Sequence, residues 1–157
     1  MIESRDFEDL FELLNANEVE YLVVGGYAVA VHSRPRFTDD LDLFVSRSEV
    51  NTDRLMTALS AFGYGPPELT AERFRVRNRV IQLGVPPYRI DVLTSIKGVQ
   101  FDDAWPRRKR GRYGRQEVFF IGRDDLIASK AAAARPKDLE DLRVLRASGD
   151  GSGQDAG

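Results

Sequence analysis

Hydrophobic positions recur at helical spacing over residues 6–16, where Phe7, Leu10, Phe11 and Leu14 share one side and Glu8, Asp9 and Glu12 the other. The run Val19-Glu20-Tyr21-Leu22-Val23-Val24 reads instead as a buried strand, stopped by Gly25-Gly26. A short apolar helix is expected from Tyr27 to about His32, ended by the break at Arg34-Pro35. Over residues 40–45, Asp-Leu-Asp-Leu-Phe-Val, acidic positions alternate with aliphatic ones as in a half-buried strand. Ser48-Glu49-Val50 then opens a helix that carries Leu55, Met56, Leu59 and Phe62 and stops at Gly63.

Further strands are expected at 73–83 and 88–93, separated by Gly84-Val85-Pro86-Pro87. A short helix follows near 101–105, then a basic, glycine-containing loop over 107–115 and a strand at 118–121. Helices close the pattern at 124–134 and 137–147, with Pro136 suited to a first helical turn that needs no amide hydrogen. Residues 148–157, rich in Gly, Ser and Asp, read as a flexible tail. This order predicts one mixed α/β (α+β) domain over residues 1–147, a sheet of about five strands flanked by helices.

Composition narrows the setting. A chain of 157 residues, 42% hydrophobic and 31% charged, can bury a substantial core. With no cysteine, disulfides and thiolate metal sites are excluded, which fits a reducing compartment. No apolar stretch reaches membrane-span length, and the acidic start Met1-Ile2-Glu3-Ser4-Arg5-Asp6 lacks a signal-peptide core. A cytoplasmic location without membrane contact is the expectation.

Three segments carry chemistry in combination. Gly25-Gly26 leads a strand into a helix, where absent Cβ atoms and free amides admit a phosphate; alone, an ordinary tight turn is the commoner meaning. Asp40 and Asp42, two apart on a strand, project from one face about 6–7 Å apart at Cα. Two carboxylates so placed repel unless a cation lies between them, and hard oxygen donors suit Mg²⁺. Alone, a solvated polar face explains them as well. Asp91, an acid inside the apolar strand Arg89-Ile90-Asp91-Val92-Leu93, would join them if the two strands pair, completing a donor set for two metal ions.

The stretch Tyr21-Leu22-Val23-Val24-Gly25-Gly26-Tyr27-Ala28-Val29-Ala30, with Arg36-x-Thr38-x-Asp40-x-Asp42 after it, resembles the nucleotidyltransferase superfamily related to DNA polymerase beta. Within it the chain is similar to the small bacterial group of abortive-infection and toxin–antitoxin nucleotidyltransferases. Leu126-Ile127-Ala128-Ser129-Lys130 and Arg135-Pro136-Lys137-Asp138-Leu139-Glu140-Asp141-Leu142 extend the likeness, which spans about residues 19–145. The resemblance implies a polymerase beta-like fold, with Gly25 and Gly26 cradling an NTP. Asp40 and Asp42 would hold two Mg²⁺ ions, and Asp91 would complete the metal site and help deprotonate the acceptor. A nucleoside monophosphate then passes to an acceptor hydroxyl on an RNA 3′ end, a protein side chain or a small molecule, and pyrophosphate leaves. Tyr27 departs from the Ser or Thr that many relatives carry after Gly-Gly.

Arg36 and Lys130 are candidate phosphate contacts; Arg36 is set against a surface salt bridge, and Lys130 lies on a helix face away from Leu126 and Ile127. Asp138 and Asp141 read as partners of Arg135 and Lys137, or of a helix dipole, and His32 as a packed residue. Arg73, Arg75, Arg77 and Arg79 would line one strand face, and Arg107, Arg108, Lys109, Arg110, Arg112 and Arg115 the later loop. Both are candidate surfaces for an RNA or partner protein, with Tyr113 placed to stack a base; a solvated strand face and a flexible charged loop are the ordinary alternatives. The net charge of −2 does not oppose this. Residues 1–72 hold 5 basic and 14 acidic side chains, residues 73–157 hold 18 and 11, so unlike halves cancel. Two rivals stand beside the enzyme: a non-catalytic nucleotide- or partner-binding module of a toxin–antitoxin pair, and a metal-dependent phosphodiesterase, which gives no role to Gly-Gly.

Overall fold

A computed structural model describes residues 5–34, 38 and 40–152. Helix α1 (Arg5–Ala16) leads into β1 (Tyr21–Val24), which passes without a loop into α2 (Gly25–His32). Strand β2 (Leu41–Val45) and helix α3 (Glu49–Phe62) follow. Then come β3 (Val80–Leu83), β4 (Ile90–Leu93), the short α4 (Phe101–Ala104), and a hairpin of β5 (Lys109–Tyr113) and β6 (Gln116–Phe120). Helices α5 (Arg123–Ala133) and α6 (Pro136–Ser152) complete the chain.

The six strands form one mixed sheet in the order β3-β4-β2-β1-β6-β5. Strand β2 runs antiparallel to β1 and parallel to β4, and β1 runs parallel to β6. Alternation along the strands separates two layers. On one face Tyr21 meets Phe11 of α1, ring centres 5.8 Å apart; on the other, Phe44 meets Phe101 of α4 at 5.1 Å. Phe7, Leu10, Phe11 and Leu14, the apolar stripe of α1, are all buried. The boundaries of α3 follow from its sequence: Ser48 Oγ accepts the Asn51 amide at 3.1 Å, and Gly63 ends the helix in the left-handed conformation, φ +116°. Buried Asn51 accepts the Glu20 amide at 2.7 Å and donates to Ser46 O at 2.9 Å, tying the start of β1 to the end of β2. No helix among the described residues is long and apolar enough to cross a membrane.

The sheet differs from expectation at three places. There are six strands rather than about five, because residues 109–113 of the expected basic loop form β5, paired from Lys109↔Phe120 to Tyr113↔Gln116. Arg110 and Arg112 point outward from an edge strand, a placement that discourages edge-to-edge association but hides the apolar alternation in the sequence. The expected strand 73–83 is strand only over Val80–Leu83; Ala71–Arg75 is a 3₁₀ turn that drives Phe74 into the core. Finally, α6 runs on to Ser152, into residues read as tail.

Candidate active site

Strand register builds the site. Val24 on β1 pairs with Asp42 on β2, Asp42 with Asp91 on β4, and Asp91 with Gln82 on β3. One row across four strands thus carries both acids, immediately beside the point where β1 turns into α2. Gly25 makes that turn at φ +71°, and a Cβ there would lie 2.0 Å from Asp42 Oδ2. Only glycine lets the backbone approach the carboxylate this closely. Val24 caps α2 without a side-chain hydrogen bond, so the first amides of the helix are left for another acceptor.

The acids are electrostatically unequal. Burial pushes the Asp42 carboxyl up to about 6, with Asp91 and then Asp40 adding repulsion, against the pull of Lys137 and Arg89. Asp91, 7% exposed, is held by Arg89, whose Nε donates to Oδ1 at 3.0 Å and Nη2 to Oδ2 at 2.9 Å. Asp40 lies just before β2 rather than on it, half-buried and close enough to act on Asp42 and Arg89. Among the described residues no group of three or more His, Cys, Asp or Glu is gathered as a ready metal cage. The donor chemistry nevertheless suits Mg²⁺, which takes one or two carboxylates and completes its shell with water and phosphate oxygens. The mutual repulsion at Asp42 is what such a cation relieves.

Asp42, Asp91 and Gly25-Gly26 floor a cleft of about 460 Å³, whose opposite wall comes from α5 and α6, while Asp40 is not among its lining residues. Lys130 stands in that wall, 12% exposed, with Nζ 3.3 Å from Asp138 Oδ1 and 3.0 Å from Asp141 Oδ2. Arg135 also grips Asp138, Nε to Oδ2 at 2.7 Å, and holds its carboxyl below the usual range. The expected phosphate contact of Lys130 is therefore met by two aspartates, and these ion pairs fasten α6 to α5. Asp138 pairs with Arg135 as expected.

The chain belongs to a nucleotidyltransferase family. Residues 5–148 match the model of a family described as a nucleotidyltransferase of unknown function (DUF6036). The fold is similar to the crystal structure of an antigenic nucleotidyltransferase-like protein from Paracoccidioides brasiliensis, at 15% identity and a TM-score of 0.50. That likeness covers 94% of this chain and 77% of the other. Comparison with curated proteins finds no match. Family and fold thus agree with the nucleotidyltransferase superfamily expected from the sequence.

The sequence groups Gly25, Gly26, Asp40, Asp42 and Asp91; Gly25, Gly26, Asp42 and Asp91 share one cleft, whereas Asp40 precedes β2 and is not part of its lining. Arg36 lies outside the described residues. Arg89, Lys97 and Lys137 were missed as site residues, although Arg89 stands two residues before Asp91 and so shares its strand face. His32 is a packing residue, its ring Nε2 2.7 Å from Ile121 O.

The two basic segments need correction. Arg73 and Arg75 leave the expected strand face: Arg73 donates to Glu68 O, while Arg75 reaches Thr52 Oγ1 at 2.7 Å and Asp53 Oδ1 at 2.8 Å. In the later segment Arg107 pairs with Asp125 at 2.8 Å and Arg108 lies 3.9 Å over the Trp105 ring. Tyr113 packs against Phe7 and Phe11 and is buried, so it offers no face to a base.

Proposed function

We propose that this protein transfers a nucleoside monophosphate from an NTP to an acceptor hydroxyl with Mg²⁺ as cofactor. The observation that carries the reading is the contact row itself: Asp42 opposite Asp91, with the Gly25 backbone against the Asp42 carboxylate. A helix start and an acidic pair so juxtaposed bring an anion site and a cation site into one cleft, as a metal-bound triphosphate requires.

In this reading the α2 amides at Gly25 and Gly26 bind the triphosphate, and Lys97 and Lys137 on the cleft wall offset its charge. Asp40, Asp42 and Asp91 would hold Mg²⁺, which when bound would supply charge neutralisation for the triphosphate and the leaving pyrophosphate. The acceptor oxygen forms a bond to the α-phosphorus as the bond to the bridging oxygen breaks. Pyrophosphate departs with that electron pair, and the hydroxyl proton passes to a carboxylate of the Asp42–Asp91 pair. Arg89 keeps Asp91 oriented between turnovers.

The test is transfer of α-phosphate label from each of the four NTPs, with Mg²⁺ and cell extract, by wild type and by Asp40→Asn and Asp42→Asn. Wild type should label an acceptor and the Asn variants should lose roughly a hundredfold or more. Equal labelling by the Asn variants would overturn the metal assignment. The occupied Arg89–Asp91 pair favours a second reading, a nucleotide-binding module without catalysis. Calorimetric NTP binding with no labelled acceptor would select it.

A further inference from the structure

A second cleft, of about 660 Å³, continues the first along the same face of the sheet. Val80, Ser95, Ile96 and Lys97 line both. The continuity follows from register: two residues beyond the Asp42–Asp91 pair, Phe44 stands opposite Leu93, and Leu93 opposite Val80. The two clefts are therefore successive stretches of one trough.

Its charged lining is Arg47, Arg77, Arg79 and Lys97 against Asp102 alone. Among the described residues none of these four cations forms an ion pair, whereas Arg75, Arg89, Arg107, Arg135 and Arg143 all do. The fold splits the arginine series of residues 73–79 in two: Arg73 and Arg75 are spent on structure, Arg77 and Arg79 are turned into the trough. Like charges gathered without partners repel, so their proximity calls for an anion.

The backbone that carries Arg77, Arg79 and Lys97 is tied down. Asn78, between the two arginines, sits at φ +61°; its amide donates to Ser95 Oγ at 2.9 Å, and Ser95 Oγ donates to Asn78 Oδ1 at 2.9 Å. The Arg79 amide donates to Thr94 Oγ1 at 3.0 Å. Lys97 stands in a turn closed by the Ile96↔Val99 bridge, where Gly98 lies so near α5 that a Cβ would come within 2.7 Å of Ala132 Cβ. Both loops are fastened at the backbone, which places the stems of Arg77, Arg79 and Lys97 along the trough while their charged ends stay exposed to it.

We propose that this second cleft seats the acceptor, and that the acceptor is a nucleic-acid strand. Its phosphodiester backbone lies against Arg47, Arg77, Arg79 and Lys97, and its terminal hydroxyl reaches toward Asp42 and Asp91. The proposal rests on the nucleotidyl-transfer reading above. Arginine forks match phosphate oxygens, and a line of them beside the triphosphate cleft suits a substrate bearing one charge per residue. A polycationic small molecule is repelled by the same surface. Transfer lengthens the strand by one nucleotide: its terminal oxygen bonds to the α-phosphorus, and pyrophosphate leaves.

Fluorescence anisotropy with labelled single-stranded RNA and DNA of about twelve nucleotides, over a salt series, tests the site without needing chemistry. Binding should weaken roughly tenfold or more in the double variant Arg77→Glu/Arg79→Glu, and the slope of log affinity against log salt should fall by about 1.4. Arg77→Lys/Arg79→Lys should retain most of the affinity, and Arg110→Glu/Arg112→Glu on β5 should match wild type, with circular dichroism checking each fold. Wild-type affinity in Arg77→Glu/Arg79→Glu, or an equal loss in Arg110→Glu/Arg112→Glu, overturns the proposal. The RNA and DNA arms show which strand is preferred. Strand binding that depends on Arg77 and Arg79 without nucleotide addition keeps this site and removes the transfer reading. Label delivered to protein, with no strand bound, does the reverse.

Discussion

Asp42 on β2 faces Asp91 on the parallel strand β4, and the Gly25 backbone closes over the Asp42 carboxylate. Like charges opposite one another destabilise a sheet, so this pair works against the fold that holds it. Arg89 offsets the cost at Asp91 through two hydrogen bonds, and Lys137 offsets part of it at Asp42. What remains is a buried carboxyl, repelled by Asp91 and Asp40, at the floor of a cleft.

The pH dependence of the metal-free protein should report the burial of Asp42 together with that repulsion. The folded Asp42 carboxyl is raised to about 6 by burial and by Asp91 and Asp40. Its contribution to stability is present below the unfolded value and lost as pH rises through the folded one. Asp42→Asn should therefore raise the thermal midpoint near pH 8 and change it little near pH 4, the gain bounded at about 3 kcal/mol. A pH-independent difference would show that the pair does not strain the fold.

Arg89 occupies both Asp91 oxygens, the same atoms that Mg²⁺ would need in the proposed reading. Removing the guanidinium in Arg89→Ala should shift the Mg²⁺-dependent rise in thermal midpoint to lower Mg²⁺ concentration, while Asp42→Asn should abolish that rise. If Arg89→Ala needs more Mg²⁺ than wild type, the arginine supports the metal site instead of guarding it.

Gly25→Ala meets two obstacles. The backbone at φ +71° costs a β-carbon about 1–2 kcal/mol, and that carbon would collide with Asp42 Oδ2 at 2.0 Å. Each kcal/mol lost should lower the midpoint by about 2–4 °C in a chain of this size, and calorimetry should find NTP binding gone. Gly26, inside α2 and without a positive φ, should tolerate alanine better. Equal effects at the two positions would contradict the assigned contact.

Lys130 neutralises two acids, Asp138 at 1% and Asp141 at 3% exposure. Lys130→Met should destabilise the fold by about 3–5 kcal/mol, as expected when one partner of a buried ion pair is removed. Because the Asp138 carboxyl is held low by Arg135 and Lys130, its stabilising share is present above the unfolded value and disappears as pH falls through the folded one. Thermal unfolding between about pH 7 and pH 3 should accordingly be flatter in Asp138→Asn than in wild type.

Much of the site was legible because its chemistry is local. Gly25-Gly26 at the end of an apolar run marks a strand-to-helix turn, and Asp42 two residues from Phe44 shares its face whatever the neighbouring strands are. Arg77 and Arg79 were visible only as part of a uniform stripe. Their separation from Arg73 and Arg75 depends on Phe74 finding the core and on Asp53 of α3 standing where Arg75 can reach it. Lys130 was legible as a cation near the site, but its partners are set by how α6 folds back along α5.

By itself, then, the sequence determined the types and order of most strands and helices, and the residue chemistry of the cleft floor. Periodicity and backbone preference act within a few residues and survive any packing. Only the tertiary structure decided that β4 lies parallel to β2 so that Asp91 meets Asp42, that residues 109–113 add a sixth strand, and which arginines are bound and which stand open. Those outcomes turn on register and on partners far along the chain. A charged side chain reads the same in sequence whether it ends in an ion pair or in an open trough.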